Sequence, residues 1–333
     1  MGSPLRSFTV REDKSLKDLA TYGGTFERTA AIDTYTWMYQ FLHKIRDYET
    51  GKPLTDDEGR VTSHLSGLYY RTMNLLEAGV KPVFVFEGGY PDLKEEEVKS
   101  RRQSKEKAQR EYELARKIGD HDRAAKLETE RRGISEEMQE TAFDLIEAMG
   151  CPIIVPPEEA EAQCARMCED NQVDYVISSD YDTLLYGSPN LVQELDSSGG
   201  ELVLLDKSLQ ENNINSKELM WIGLMLGTDY NSSPHGVGAK TAKKIAKSSD
   251  SIGEVIEKCR EYDEVDEDRW RSTYDLFAYP NVDLDIEWGE WTLPNKDIIL
   301  ELLVEKHGFS ENRVTSAMEE VEMVVGQSGF QDF

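Results

Sequence analysis

Positive charge is what this chain is shortest of. Against 65 aspartates and glutamates stand 38 lysines and arginines, a formal net charge of −27 over 333 residues. That balance excludes a protein that holds a polyanion over its whole surface, because affinity for a phosphate backbone needs clustered cations. Cysteine is scarce as well. Cys151, Cys164, Cys168 and Cys259 make neither a dense secreted framework nor a Cys/His pair with zinc-finger spacing. Cys164 and Cys168, four apart on an expected helix, read as small core residues. No run approaches the ~18 consecutive apolar residues of a membrane span, and the N-terminus MGSPLRSFTVREDKS lacks the apolar core of a signal peptide. These absences predict a soluble, intracellular protein with no membrane partner. Internal repeats are missing too, and the length predicts about two domains.

Some of the cations cluster. One group holds Lys94, Lys99, Arg101, Arg102, Lys105, Lys107, Arg110, Arg116 and Lys117, and a second holds Lys240, Lys243, Lys244 and Lys247, whereas the acid is spread along the chain. Two explanations of the acidity stand at this point. Either no nucleic acid is bound, or the whole surface is adapted to a salty cytosol, where charges are screened within ~3 Å at 1 M salt. Lysine is about as common as arginine, which leaves the halophilic reading incomplete.

Seven carboxylates occupy informative places: Asp33 after TAAI, Glu87 after PVFVF, Glu159 and Glu161 in PPEEAEAQCA, Asp180 and Asp182 in SSDYDTLLYG, and Asp229 in GTDYN. Four of these five places close a short apolar run. In an open parallel sheet such runs are buried strands, and ligands collect at their carboxyl ends. Any one of these aspartates alone reads best as a turn residue. Seven so arranged point instead to a rim that binds cations, since crowded carboxylates raise one another's pKa values unless something neutralises them. All-oxygen ligands suit Mg²⁺ or Mn²⁺. Two such ions roughly 3.5–4 Å apart activate water and stabilise a leaving oxygen, so phosphodiester hydrolysis is the expected chemistry.

Periodicity predicts an α/β fold, a mostly parallel sheet flanked by helices. A strand beginning at Arg28 is followed by helices at Thr36 to Asp47 and Ser63 to Ala78, with a polar turn around Gly51 to Gly59 between them, and by a strand at Pro82 to Phe86. Residues 93–135 are almost wholly charged and read as a solvated helical hairpin. Placed just after Glu87, such a basic arch stands over the metals and can grip a single strand. A helix at Glu136 to Met149, a strand at Pro152 to Val155 and a helix at Ala160 to Asp170 follow. Residues i and i+2 do not share a helix face, so Glu159 and Glu161 serve one site only if Glu159 lies at the helix start, or else they address different ions. Asp180 and Asp182, leaving a strand, are expected to point the same way. Leu191 to Leu195 and Glu201 to Leu205 read as a hairpin, and helices at Glu218 to Leu226 and Lys240 to Lys247 follow. Gly236-Val237-Gly238 before the lysine-rich helix reads either as a plain turn or as a backbone-amide nest for phosphate. Four regions result: 1–135 with the arch, 136–215 completing the sheet, a helical region 216–325, and a tail 326–333 after a helix ending near Val325.

The blocks AAIDTYTWMYQFL, TSHLSGLYYRTMNLLEAGVKPVFVFEGG, PPEEAEAQCA, SSDYDTLLYG, GTDYN, GVGAKTAKKI and WTLPNKDIILELLVEKHGFSENRV stand in this order. In them the chain resembles the archaeal and eukaryotic flap endonucleases of the structure-specific 5′ nuclease superfamily, over roughly residues 28 to 333. The resemblance implies a PIN-like nuclease core with a helical arch and a helix–three-turn–helix. It implies a Mg²⁺-dependent 5′ flap endonuclease with 5′–3′ exonuclease activity, acting as a monomer on branched DNA in Okazaki-fragment maturation and repair. By the same resemblance Asp33, Glu87, Glu159 and Glu161 hold a first metal, and Asp180, Asp182 and Asp229 a second. Lys94 and Arg101 polarise the scissile phosphate, and Tyr39 stacks on a base, although its place on an amphipathic helix equally fits a core aromatic. Arg46 and Arg71 touch DNA, with an ordinary surface charge the alternative for Arg46. Gly236 and Gly238, with Lys240, Lys243 and Lys244, hold downstream duplex, commonly with a monovalent cation such as K⁺. Gly2 matches an N-terminal glycine of the family, but the residues after it do not.

Glu87 departs from the family's aspartate, and Ala160 from the glycine expected between the glutamates. The extra methylene at Glu87 moves the carboxylate by about 1 Å, a displacement that can cost ~10²-fold in rate. The last residues, with Gln327, Phe330 and Phe333, resemble a sliding-clamp-binding motif that ends one aromatic early; a short disordered tail is the alternative. Two rival functions remain: a catalytically weakened DNA-structure-binding or clamp-tethering homologue, and a Mg²⁺ phosphatase or small-nucleotide hydrolase built on the Asp180/Asp182 pair.

Overall fold

The computed structural model describes residues 4–21, 28–89, 110–115, 117–118 and 133–328. The strands are β1 (Arg11–Ser15), β2 (Arg28–Asp33), β3 (Val80–Val85), β4 (Ile153–Ile154), β5 (Tyr175–Ile177), β6 (Asn190–Gln193) and β7 (Gly199–Leu204). The helices that matter below are α1 (Thr34–Lys44), α2 (Ser63–Ala78), α3 (Glu136–Ala148), α4 (Ala160–Glu169), α5 (Ser216–Leu226), α6 (Ala239–Lys247), α7 (Glu267–Ala278) and α8 (Glu311–Ser328). No helix among the described residues is long and apolar enough to cross a membrane. The chain divides into two compact units, one of Met1–Ser15, Glu87–Glu97 and Val155–Ile286, the other of Leu16–Phe86, Val98–Ile154 and Glu287–Phe333.

In the second unit β2, β3 and β4 are parallel, with Asp33 opposite Val85 and Phe84 opposite Ile153. Ala30, Ala31, Ile32, Val83, Phe84 and Val85 are all fully buried, which is why these strands are continuously apolar and do not alternate. The first helix starts two residues before the expected position, because Asp33 closes β2 and caps α1, its Oδ1 accepting from the Thr36 amide at 3.1 Å. It stops at Lys44 and not Asp47. Helix α2 runs over the expected residues, and its Tyr69 hydroxyl donates to the Val314 carbonyl of α8 at 2.6 Å. Helix α8 continues to Ser328, three residues past the expected end, so the backbone of Gln327 is helical and not part of a tail.

A polar cluster in this unit makes its stability pH-dependent. Burial pushes the Asp56 carboxyl up, but hydrogen bonds from Arg60 Nε (2.7 Å) and with His307 Nδ1 (2.8 Å) outweigh it and hold the group down at about 2. His64, 1% exposed, is pushed down to about 3 by burial and by the nearby His307. Its Nε2 meets Thr141 Oγ1 at 3.3 Å. A histidine held neutral in the fold is protonated first in the unfolded chain. Stability therefore falls as pH drops from ~6.5 toward ~3, by up to about 4 kcal/mol, while the Asp56 contribution is intact above about pH 4 and is lost between there and about pH 2. In urea titrations at fixed salt, the unfolding free energy is expected to fall through this window in the native chain and to fall much less steeply in His64→Gln.

In the first unit β1 pairs antiparallel with β7, β7 antiparallel with β6, and β6 parallel with β5. The β6–β7 hairpin is the expected one. The chain after Ser216 is helical, and α5 begins two residues early because Asn215 and Glu218 form a reciprocal capping box. Cys164 and Cys168 are buried on α4, the core residues expected of them, and Cys151 and Cys259 are buried as well.

Candidate active site

Six of the seven carboxylates, all but Asp33, belong to the first unit. The segment after β3 runs beside the start of α4: Gly88 donates its amide to the Glu158 carbonyl and Gly89 to that of Pro157, each at 2.9 Å. This pairing brings Glu87 to the helix, where its Oε2 accepts from the Ala160 amide at 3.3 Å. Glu159 is the N-cap residue of α4 but makes no side-chain cap, so Glu87 caps the helix from 73 residues away. Glu159 is buried and extended, just outside the helix, and Glu161 lies in its first turn. The helix-start condition under which the two can serve one site is thus met. Negative charge is also favoured there by the helix dipole.

Asp180 and Asp182 differ from the expected strand geometry. Strand β5 ends at Ile177, and Asp180 caps a short 3₁₀ helix, Tyr181–Leu184, its Oδ1 accepting from the Asp182 amide at 2.9 Å. A short carboxylate that bonds the backbone two residues on turns the chain, and this local bond outcompetes continued strand. Asp229 is exposed in a turn after α5. That turn is pinned by Asn231, whose Nδ2 donates to the Leu224 carbonyl at 2.7 Å, and by Thr228 Oγ1 bonding Asn231 Oδ1 at 2.9 Å.

Two buried tyrosines register the combined field of these acids. The Tyr186 and Tyr230 hydroxyls lie 3.4 Å apart. Burial pushes the Tyr186 phenol well up, and the charges of Glu159, Glu161 and Asp182 push it further. Tyr230 is pushed up by burial, then by Tyr186, Glu159 and Glu161. Carboxylates from α4 and from the Asp180–Asp182 turn therefore act on one point.

The XPG N-terminal domain family matches residues 12–108 and the XPG I-region family residues 150–229, spans that contain all seven carboxylates. Flap endonuclease 1 of Ignicoccus hospitalis is 40% identical over 306 residues, covering 88% of this chain and 86% of that protein. Flap endonuclease 1 of Methanococcoides burtonii is 36% identical, covering 95% and 96%. The chain belongs to the flap endonuclease family. The solved structure of flap endonuclease-1 from Methanococcus jannaschii has the same fold, with a TM-score of 0.76, 30% identity, and coverage of 98% of this chain and 100% of that one. Membership makes the protein a structure-specific, metal-dependent 5′ flap endonuclease, of the kind that serves Okazaki-fragment maturation and repair.

The donor set fits the divalent ion that a flap endonuclease requires: the acids are hard oxygen ligands, with no histidine or cysteine among them. Among the described residues, no group of three or more Asp, Glu, His or Cys side chains stands close enough to hold an ion.

The remaining site residues that the flap endonuclease likeness marks fall in several places. Lys94, Arg101, Phe330 and Phe333 lie outside the described residues, as does Gly2. Tyr39 is 41% exposed and packs its ring against His43 at 5.6 Å, so it is not the core aromatic that helix periodicity allows. Arg46 has local work: Nε donates to the His43 carbonyl (2.8 Å) and Nη1 to that of Gly51 (2.9 Å), tying the end of α1 to the following turn. Arg71 lies partly buried on α2. Gly236 has φ +86°, a conformation that favours glycine, and Gly238 is the N-cap of α6 with no side chain on the first-turn amides. Ala242, Ile245 and Ala246 face the core, leaving Lys240 and Lys244 exposed and Lys243 half-buried, with its Nζ 3.5 Å from Asn212 Oδ1.

Tyr186, Tyr230 and Gln163 were not singled out by sequence reasoning. The one available signal was Gln163, an amide at a core position of α4, 0% exposed, which demands polar partners.

Proposed function

We propose that the seven carboxylates bind two Mg²⁺ ions, with Mn²⁺ an effective substitute, at a single cleavage centre. When bound, the ions supply an activated water and neutralise the phosphate. Asp33, Glu87, Glu159 and Glu161 make one ligand group and Asp180, Asp182 and Asp229 the other. Lys94 and Arg101 stabilise charge developing on the scissile phosphate. Tyr39 stacks on a base near the cut, Arg46 and Arg71 contact DNA, and the Gly236–Gly238 turn with Lys240, Lys243 and Lys244 follows the backbone of the downstream duplex, with K⁺ as a candidate ion there. The observation that carries this reading is the placement of four of the acids at element starts in one compact unit: Glu159 as N-cap of α4 with Glu161 in its first turn, and Asp180 as N-cap of the 3₁₀ turn that holds Asp182. The enzyme acts as a monomer in the cytoplasm, beside the nucleoid, also trims 5′ ends as an exonuclease, and engages the sliding clamp through Gln327, Phe330 and Phe333. Its acidity fits a high-salt cytosol, in which repulsion between its spread acids and DNA is screened.

The cap that Glu87 makes on Ala160 favours one second reading, a DNA-structure-binding homologue with weakened chemistry. Cleavage of a 5′-labelled double-flap DNA with Mg²⁺ or Mn²⁺, across low to molar KCl, separates the two. Incision near the flap junction is expected, persisting at molar salt and stimulated by a sliding clamp only while residues 327–333 are present. Binding without incision, restored by Glu87→Asp, would establish the second reading instead.

A further inference from the structure

The helix that presents Glu159 and Glu161 is held, one turn beyond Glu159, by a segment no motif marks. Gln163 is completely buried, and its amide group is used twice by one residue: Nε2 donates to the Asp283 carbonyl at 3.0 Å and Oε1 accepts the Asp283 amide at 2.9 Å. The backbone N–H of Gln163 donates to the Glu159 carbonyl at 3.2 Å, so the clamped residue is one helical hydrogen bond from Glu159. Two residues earlier in the strap, Asn281 Nδ2 donates to Glu158 Oε1 at 2.9 Å, beside Glu159 on its other side. The chain entering the strap belongs to the same construction. Phe277, near the end of α7, packs its ring on Tyr186 (4.7 Å) and on Tyr230 (5.7 Å), the tyrosines in the field of the glutamates.

We infer that Asn281–Asp283 is a positioning strap, which sets the placement of Glu159 and Glu161 for a divalent cation by clamping Gln163 and Glu158. This rests on the metal role proposed for the two glutamates. The physical reason is that a ligand's affinity for an ion depends on how far its carboxylate is pre-placed, and outer hydrogen bonds do that placing. The strap lies roughly 120 residues along the chain from the ligands it positions, which is the separation of the Gln163–Asp283 bonds.

The test is Mn²⁺ binding to the full chain without DNA, read by the electron paramagnetic resonance of free Mn²⁺, with the thermal midpoint measured alongside. Asn281→Asp sets a carboxylate against Glu158 at an exposed position, so the fold is retained. It is expected to weaken Mn²⁺ binding about tenfold with little change in midpoint. Adding Glu158→Gln restores a hydrogen bond with donor and acceptor exchanged, at unchanged net charge, and is expected to recover binding to within about threefold. Glu161→Ala serves as the reference for the metal role. Loss of binding in Glu161→Ala with none in Asn281→Asp overturns the strap alone, as does a double variant that stays weak. Unchanged binding in Glu161→Ala overturns the metal assignment itself.

Discussion

Replacing Asp180 by alanine is expected to reduce flap cleavage at least ~10³-fold, while the affinity for flap DNA measured in Ca²⁺ changes by no more than about threefold. The side chain has two separable duties. One oxygen accepts the Asp182 amide at 2.9 Å and shapes the 3₁₀ turn, and the negative charge is the one proposed to hold a metal ion. Asp180→Asn keeps an oxygen for the cap but removes the charge. Single-turnover rates for both variants decide between the duties: equal, deep losses assign the effect to charge, whereas near-native cleavage by Asp180→Asn would leave Asp180 a purely structural residue. Turnover that survives Asp180→Ala would remove it from the metal site altogether.

Gly88→Ala is expected to be a strongly damaging change beside the carboxylates. A Cβ there would lie 1.9 Å from the Pro156 carbonyl oxygen, 2.9 Å from its carbon and 3.0 Å from the Glu158 oxygen, all backbone atoms that cannot swing away. Relief requires parting the Gly88–Glu158 and Gly89–Pro157 hydrogen bonds, which withdraws Glu87 from α4 and loosens Glu159. A loss of about 3 kcal/mol follows, together with weaker Mn²⁺ binding. Gly89→Ala is the control: its nearest neighbour is the Pro157 oxygen at 3.2 Å, and a cost of about 1 kcal/mol or less is expected. Denaturant unfolding of the two variants side by side checks the difference, and equal stabilities would show that Gly88 is not packed this closely.

How far such features can be read from residues depends on how local their causes are. Helix α2 was legible to its ends and α3 to within a residue, because apolar spacing and capping are properties of neighbouring positions. The strands leading to Asp33 and Glu87 were legible as unbroken apolar runs, since burial on both faces leaves no alternation. The early start of α1 lay within the reach of capping rules, with Asp33 three residues before Thr36. The turn at Asp180 was missed for a related reason: a run of apolar residues predicts continued strand, but a single side-chain-to-backbone bond ends it. The longer course of α8 runs through Gly326, a residue that composition reads as a helix stop.

By itself the sequence determined the α/β class, the order of the blocks, the identity of the seven acids and the presence of two basic clusters, for these depend on residue type and spacing. Only the tertiary structure decided that Glu87 caps the helix of Glu159, that Gln163 is clamped by Asp283, and that Tyr186 and Tyr230 lie in the field of the acids. Those contacts join residues 73 and 120 positions apart, and a hydrogen bond closed across such a distance leaves no periodicity in the residues between.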